Sequence, residues 1–233
     1  MKGVVNAEFH TDFEGVYWIK SDGEKKIATH NLSPGRSVYG EDLVTFKSEE
    51  YRSWNPFRSK LSAVILKGLR NLPLKRFSKV LYLGAATGTT ASHVSDIIGD
   101  VGSVFCVEFA PRVFRELIDR VCKYRINMMP ILENARFPER YRMLLEEVDT
   151  IYCDVAQSEQ AKIVSDNADM FLKNSGWVLL VIKARSIDST EEPSKIYEIE
   201  LGVLRNRGFN VKQVLDLEPY DKDHVMVLAQ YLK

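Results

Sequence analysis

Apolar and polar positions follow two rhythms along this chain, and the change between them falls near residue 55. Before it, apolar residues come in short alternating runs such as Val16-Tyr-Trp-Ile19 and Lys26-Ile-Ala-Thr29, which suit half-buried strands. Ser21-Asp-Gly-Glu24 between these runs carries a hairpin-turn signal, and Asn31-Leu-Ser-Pro-Gly35 carries a second turn. Residues 1–55 therefore predict a small β-rich domain, and residues 56–233 a larger one.

The larger region alternates helical periods with continuous apolar runs. Tyr51-Arg-Ser-Trp-Asn-Pro-Phe-Arg-Ser-Lys60 opens a helix whose apolar face is Leu61, Val64, Ile65, Leu69 and Leu72. Pro56 bars helix before it, and Ser59 is the expected N-cap. Lys60 then falls in the first turn, where the helix dipole is expected to lower its pKa.

The stretch that organises the rest is Val80-Leu-Tyr-Leu-Gly-Ala-Ala-Thr-Gly-Thr-Thr90, followed by a helical segment from Ala91 to Ile98 that stops at Gly99. It reads as a buried strand, a tight loop and a helix. Gly84 and Gly88 let the backbone turn where a Cβ would clash and let a ligand approach the main chain; the hydroxyls of Thr89 and Thr90 stand at the positive end of the helix. A phosphate loop would need Gly-Lys-Ser/Thr and a dinucleotide fingerprint G-x-G-x-x-G; neither is present. What remains is an adenosine-type ligand without a triphosphate, of which S-adenosylmethionine is the commonest on such a sheet.

A second strand, Gly102 to Val107, ends at Glu108, 24 positions after Gly84 and near the ~20 expected of a carboxylate that accepts from a ribose hydroxyl. Phe109 beside it suits either an adenine platform or the core. Further strands are expected at 126–132, 150–153, 177–182, 209–217 and 225–231, with helices from Pro111, after Asp154 to about Asn174, and over 194–207. The pattern predicts an α/β fold with a doubly wound sheet of seven strands, the last antiparallel. Ligands of such sheets bind beyond the carboxyl ends of the strands. Five consecutive strands end in Gly84, Glu108, Asn134, Asp154 and Lys183, which gathers polar groups on one edge.

Composition narrows the class. Thirty-two basic and thirty-two acidic residues cancel, so bulk electrostatics do not favour nucleic acid, and any such partner must be met locally or through another subunit. The longest apolar run, Trp177 to Ile182, is far short of a membrane span, and Met1 to His10 contains no signal-like apolar core. Cys106, Cys122 and Cys153 lack metal-like spacing and read as reduced core thiols of a cytoplasmic protein; the four histidines form no ligand pair, and no metal is expected.

Methyl transfer from a sulfonium to an alcohol needs orientation and either a proton acceptor or a field for the developing alkoxide, and buried lysines beside a carboxylate suit both tasks. Lys60, Asp154, Lys183 and His224 could supply that set.

The segments Tyr51 to Leu61, Tyr82 to Thr90, Asn127 to Tyr141, Asp154 to Gln157 and Ile182 to Asp188 resemble the fibrillarin family, in its short archaeal type, and the resemblance covers essentially the whole chain. It implies a Rossmann-like class I S-adenosylmethionine-dependent methyltransferase that modifies ribose 2′-hydroxyls of ribosomal RNA, with transfer RNA a further substrate left open, at positions chosen by a box C/D guide RNA. It implies a Nop-domain scaffold protein and a kink-turn-binding ribosomal-type protein as partners, and no membrane. By motif position it implies a reactive set of Lys60, Asp154, Lys183 and His224. The scheme has Lys183 as proton acceptor or alkoxide stabiliser, Asp154 holding it, Lys60 tuning the pair and His224 orienting ribose. Cofactor contacts map onto Gly84, Ala85, Thr89, Thr90, Glu108, Phe109, Asn134, Ala135, Asp154 and Gln157. The adenine-binding position is usually aspartate in the family and is Asn134 here, whose amide oxygen is expected to accept from the adenine amino group. Arg52, Arg58, Arg136 and Arg185 are candidates for contact with the RNA backbone. Two other readings stay open: the same fold acting on a different acceptor, and a non-catalytic assembly subunit.

Overall fold

The structure, a computed structural model, describes residues 6–21 and 23–232. Two sheets divide the chain. Five antiparallel strands, β1 (Asn6–Phe9), β2 (Val16–Ser21), β3 (Glu24–His30), β4 (Leu43–Phe46) and β5 (Glu49–Ser53), form the first in the order β1-β2-β3-β5-β4. Ser21 pairs with Glu24 across the expected hairpin; Asp22 of that turn lies outside the described residues, as do Met1 to Val5. Asn31 closes the second expected turn, its side-chain oxygen accepting from the Ser33 amide at 3.0 Å. Tyr51 to Ser53, expected to lead into the first helix, instead belong to β5.

The second sheet holds β6 (Lys79–Leu83), β7 (Ser103–Glu108), β8 (Met128–Leu132), β9 (Val148–Cys153), β10 (Leu172–Lys183), β11 (Phe209–Asp216) and β12 (His224–Tyr231), in the order β11-β12-β10-β9-β6-β7-β8. All neighbours are parallel except β12, antiparallel to both β10 and β11. The continuous apolar runs follow from burial on both faces. Along β6, Val80 and Tyr82 face one core while Leu81 and Leu83 face the other. Helices α1 (Lys60–Leu66), α2 (Thr89–Ile98) and α3 (Pro111–Arg120) contribute to the first core. Helices α4 (Gln160–Phe171) and α6 (Pro193–Asn206) contribute to the second, and the one-turn α5 (Ala184–Ile187) follows β10. α4 stops at Phe171, short of the expected Asn174, because the chain turns directly into β10 at Leu172.

α1 is shorter than its apolar period predicts. Gly68 takes φ +90, its amide donates to the Ile65 carbonyl and the Leu69 amide to that of Val64, which together make a Schellman stop. Leu69 and Leu72 remain buried, but beyond the helix.

The small sheet is fastened to α2. Asp96 on that helix, its side chain fully buried, receives Thr29 Oγ1 at 2.8 Å, the Leu32 amide at 3.1 Å, Arg52 at 2.9 Å and Arg125 at 2.5 Å. His93, one turn earlier, meets Thr29 Oγ1 at 2.7 Å and Tyr39 Oη at 2.8 Å and stacks on Trp54. Burial, with Arg52 and Arg125 nearby, holds its pKa well below the ordinary value, so the ring is neutral.

Candidate active site

The strand order reverses beside β6, where β7 leaves on one side and β9 on the other, and a ligand crevice belongs at such a point. The loop after β6 turns at Gly84, with φ +80, and a Cβ there would stand 3.0 Å from the Asp154 carbonyl oxygen. The Asp154 amide in turn donates to the Leu83 carbonyl at 2.9 Å. Glycine is required because the ends of β6 and β9 touch.

Beside this contact opens a cavity of about 260 Å3 lined by Gly84, Ala86, Val107, Glu108, Phe109, Glu133, Ala135, Asp154, Val155, Ala156, Gln157 and Lys183. Glu108 is buried, and its two oxygens accept from the Ala86 and Ala110 amides at 3.0 and 2.9 Å. A carboxylate so held keeps lone pairs for two hydroxyls of a ribose. Phe109 is 60% exposed, so it is not core filling but an apolar ring presented at the cavity.

Of the other expected cofactor positions, Ala135, Gln157 and Asp154 line the cavity, whereas Ala85, Thr89, Thr90 and Asn134 do not. α2 begins two residues earlier than its apolar period suggests, at Thr89, and the Thr90 hydroxyl is committed to Ser59 Oγ at 2.9 Å. The Asn134 oxygen, expected to accept from adenine, already accepts from the Arg136 amide at 3.0 Å and from Gln157 Nε2 at 3.3 Å. That oxygen is thereby occupied, and only its neighbours Glu133 and Ala135 reach the cavity.

The four expected reactive residues come together from four chain segments. Ser59 caps α1 as expected, accepting from the Ser62 amide, and so sets Lys60 at the first position of the helix. Lys60 Nζ lies 3.3 Å from Asp154 Oδ2. Lys183 Nζ lies 2.7 Å from Asp154 Oδ1 and donates its aligned hydrogen bond to the Asp154 carbonyl at 2.8 Å. Lys183 and His224 stand directly opposite in the β10–β12 ladder. His224 Nδ1 faces the Lys222 carbonyl at 2.5 Å; a carbonyl only accepts, so Nδ1 carries the proton and Nε2 is the ring's remaining nitrogen.

Lys60 departs from expectation. Burial and the helix dipole both work against its charge, yet Asp154 and then Asp221 outweigh them and raise its pKa above the ordinary value. Asp221 was not legible as a site residue. Its carboxylate lies 3.4 Å from Lys60 and 3.1 Å from His224 Nδ1, joining the two, and its only sequence signal is a position three residues before that histidine. Gln160 was also missed; its side chain receives the Lys183 amide at 2.8 Å and donates to the Gln157 carbonyl at 2.9 Å, tying the two ends of the site.

The arginine expectations divide. Arg52 is fully buried between Glu41 at 2.7 Å and Asp96 at 2.9 Å, so no phosphate can reach it. Arg136 fastens the loop after β9 through Gln157 at 2.8 Å and Glu159 at 3.0 Å, and Arg185 pairs with Asp223 at 3.2 Å. Arg58 is exposed and has no ion pair among the described residues.

The same architecture recurs in proteins of known identity. The family model described as Fibrillarin matches residues 7–233. The protein named fibrillarin-like rRNA/tRNA 2′-O-methyltransferase in Staphylothermus marinus is 55% identical over 232 residues, covering 99% of each chain. The crystal structure of Aeropyrum pernix fibrillarin with natively bound S-adenosyl-L-methionine is similar at TM-score 0.92 and 52% identity, over 98% of this chain and 100% of that one. A fibrillarin/Nop5p complex contains a chain similar at TM-score 0.84 and 39% identity, over 97% and 100%. With the family model matched from residue 7 to residue 233, the overall fold shared at TM-score 0.92 and more than half of the chain's residues identical to a relative over nearly its whole length, the chain belongs to the fibrillarin family.

Proposed function

We propose that this protein transfers a methyl group from S-adenosyl-L-methionine to a ribose 2′-hydroxyl of ribosomal RNA, with transfer RNA as a second class of substrate. The observation that carries the reading is the Lys60–Asp154–Lys183 cluster, whose Asp154 and Lys183 line the same cavity as Glu108 and Phe109. Its relatives' names and the cofactor in the Aeropyrum pernix fibrillarin support it.

The cavity suits the cofactor on its own chemistry. Glu108 would accept from the ribose hydroxyls, Phe109 would cover the adenine, and the close approach at Gly84 leaves room for the methionine part; Ala135 and Gln157 complete the wall. When bound, S-adenosyl-L-methionine supplies a sulfonium methyl: the new O–C bond forms as the C–S bond breaks in line, and S-adenosylhomocysteine leaves. The chain's task is to place the hydroxyl and manage its proton. Lys60, kept protonated by two carboxylates, cannot act as acceptor and instead holds Asp154. Lys183 stabilises the developing alkoxide, and the hydroxyl proton passes to the Asp154–Lys183 pair. His224, with Nε2 free of the Lys222 contact, orients ribose.

A chain of zero formal net charge does not hold RNA by bulk electrostatics, which favours an assembly in which a box C/D guide RNA chooses the site. We include a Nop-domain scaffold, in keeping with the fibrillarin/Nop5p complex, and a kink-turn-binding ribosomal-type protein. Three buried free cysteines suit a reducing compartment, and the cytoplasm is the proposed location.

The test is transfer of labelled methyl to a target RNA by the protein alone and with guide RNA, scaffold and kink-turn-binding protein. Methylation of a single 2′-hydroxyl only in the full assembly is the expected result. Cofactor binding without transfer in any mixture would overturn the RNA reading in favour of another acceptor or an assembly role.

A further inference from the structure

Thr90, an expected cofactor contact that does not line the cavity, spends its hydroxyl elsewhere. It is the second residue of α2 and donates to Ser59 Oγ at 2.9 Å, with both residues buried. Ser59 is the cap of α1 and stands immediately before Lys60. A serine oxygen has two lone pairs, and this one uses both, for Thr90 and for the Ser62 amide. The amide contact is long, 3.5 Å, so the shorter bond to Thr90 is the one that fixes the hydroxyl. Among the described residues no other hydrogen bond joins α1 and its cap to α2.

The two ends of this bond differ in how firmly they are held. On the α2 side, the Gly84 and Ala85 amides donate to the Val107 carbonyl at 2.9 and 3.1 Å. Gly88, where α2 is capped, packs so closely that a Cβ would stand 2.8 Å from the Leu117 and Val121 side chains. The cofactor loop is thereby pinned to β7 and α3. On the other side, α1 has seven residues and opens with a cation at the positive end of its dipole, a position the helix itself disfavours. Holds from outside the helix come from Ser62, whose hydroxyl donates to the Trp54 carbonyl at 2.9 Å, and from Thr90; only the second leads to the cofactor loop.

We infer that Thr90 is a positioning residue for methyl transfer: its hydroxyl, carried by the pinned cofactor loop, fixes the Ser59 cap and through it the Lys60 ammonium against Asp154. The inference rests on the methyltransferase reading above. A misplacement of about 1 Å costs rate even when nothing that touches the substrate has changed, so this hydroxyl governs turnover and not cofactor affinity.

Thr90→Val keeps the side-chain shape and removes the hydroxyl. In the full guide assembly it should lower kcat roughly fivefold, the weight of one neutral hydrogen bond, while S-adenosyl-L-methionine titration calorimetry returns the wild-type affinity. Thr90→Ser, which keeps the hydroxyl, should recover the rate. In a Lys60→Ala background the same Thr90→Val change should cost nothing further, because residues that act as a unit are not additive. A second measurement needs no RNA: a pulse of acetic anhydride read by mass spectrometry should acetylate Lys60 roughly fivefold faster in Thr90→Val than in wild type. Weaker cofactor binding with wild-type kcat at saturation would return Thr90 to the cofactor and overturn the inference. A loss of rate that persists without Lys60 would overturn it in favour of a general loosening of the fold. Faster labelling of Lys60 in a protein that methylates no RNA would support the link and overturn the activity. Wild-type labelling and turnover in Thr90→Val would overturn the link and leave the activity standing.

Discussion

The Lys60 ammonium and the Asp154 carboxylate form an ion pair of 3.3 Å that ties the start of α1 to the end of β9. Lys183 approaches the other oxygen of the same carboxylate at 2.7 Å, so one anion serves two largely buried cations. Asp154→Ala leaves both without their shared partner. Methyl transfer should fall about 10²- to 10⁴-fold, the range of a positioned acid–base group. Single-turnover transfer in the guide assembly measures the loss, and retention of wild-type turnover would remove Asp154 from the mechanism.

Asp221→Asn tests the residue that joins Lys60 to His224. A charged hydrogen bond is worth about 1.5–3 kcal/mol, and partial exposure of Asp221 argues for the lower end, hence a roughly tenfold slower transfer. Removing this anion lowers the Lys60 pKa, because Asp221 is one of the two charges that raise it. The alkaline limb of the rate profile should therefore move to lower pH. A slower enzyme with an unmoved limb would assign Asp221 a purely structural part.

Gly84→Ala should be destabilising even though the added group is one methyl. A left-handed conformation costs an alanine roughly 1–2 kcal/mol, and its Cβ would press on the Asp154 carbonyl oxygen at 3.0 Å. Guanidinium chloride unfolding reads the first effect. Because Asp154 carries the site, transfer should fall by more than cofactor affinity does.

His93 predicts a pH dependence of stability. Its folded pKa is depressed, so below the unfolded value of 6.5 the unfolded chain binds a proton that the folded one refuses. Stability is complete above that value and declines as pH falls below it, by at most about 1.4 kcal/mol per unit. Unfolding midpoints near pH 7.5 and pH 5.5 should differ less in His93→Gln than in wild type. An equal difference in both would show that another group sets the slope.

The strand, loop and helix from Val80 to Ile98 were legible because their signals are local: a run buried on both faces, then glycines where φ is positive. The end of α1 was not. Leu69 and Leu72 keep a helical spacing and are buried, but they reach the core after a reversal at Gly68, and spacing alone does not separate those routes. The Lys60 shift runs opposite to the sequence expectation for a different reason. The helix dipole can be inferred from neighbouring residues, whereas Asp154 lies 94 positions away. Arginines suffer the same limit: sequence supplies the guanidinium of Arg52, Arg136 or Arg185 but not the Asp96, Glu159 or Asp223 that meets it.

The Asp96 cluster makes residue 55, the proposed domain boundary, a poor place to cut. Of the four donors to this carboxylate among the described residues, three precede that point: Thr29 and Arg52 through side chains, and Leu32 through its amide. Arg125 alone comes from the larger region. A fragment beginning at the boundary would bring an anion out of a matched setting on the very helix whose first turn adjoins the cofactor loop. The shared carboxylate predicts that the two units unfold together, and hydrogen exchange at α2 should slow and quicken together with that of β3 and β5.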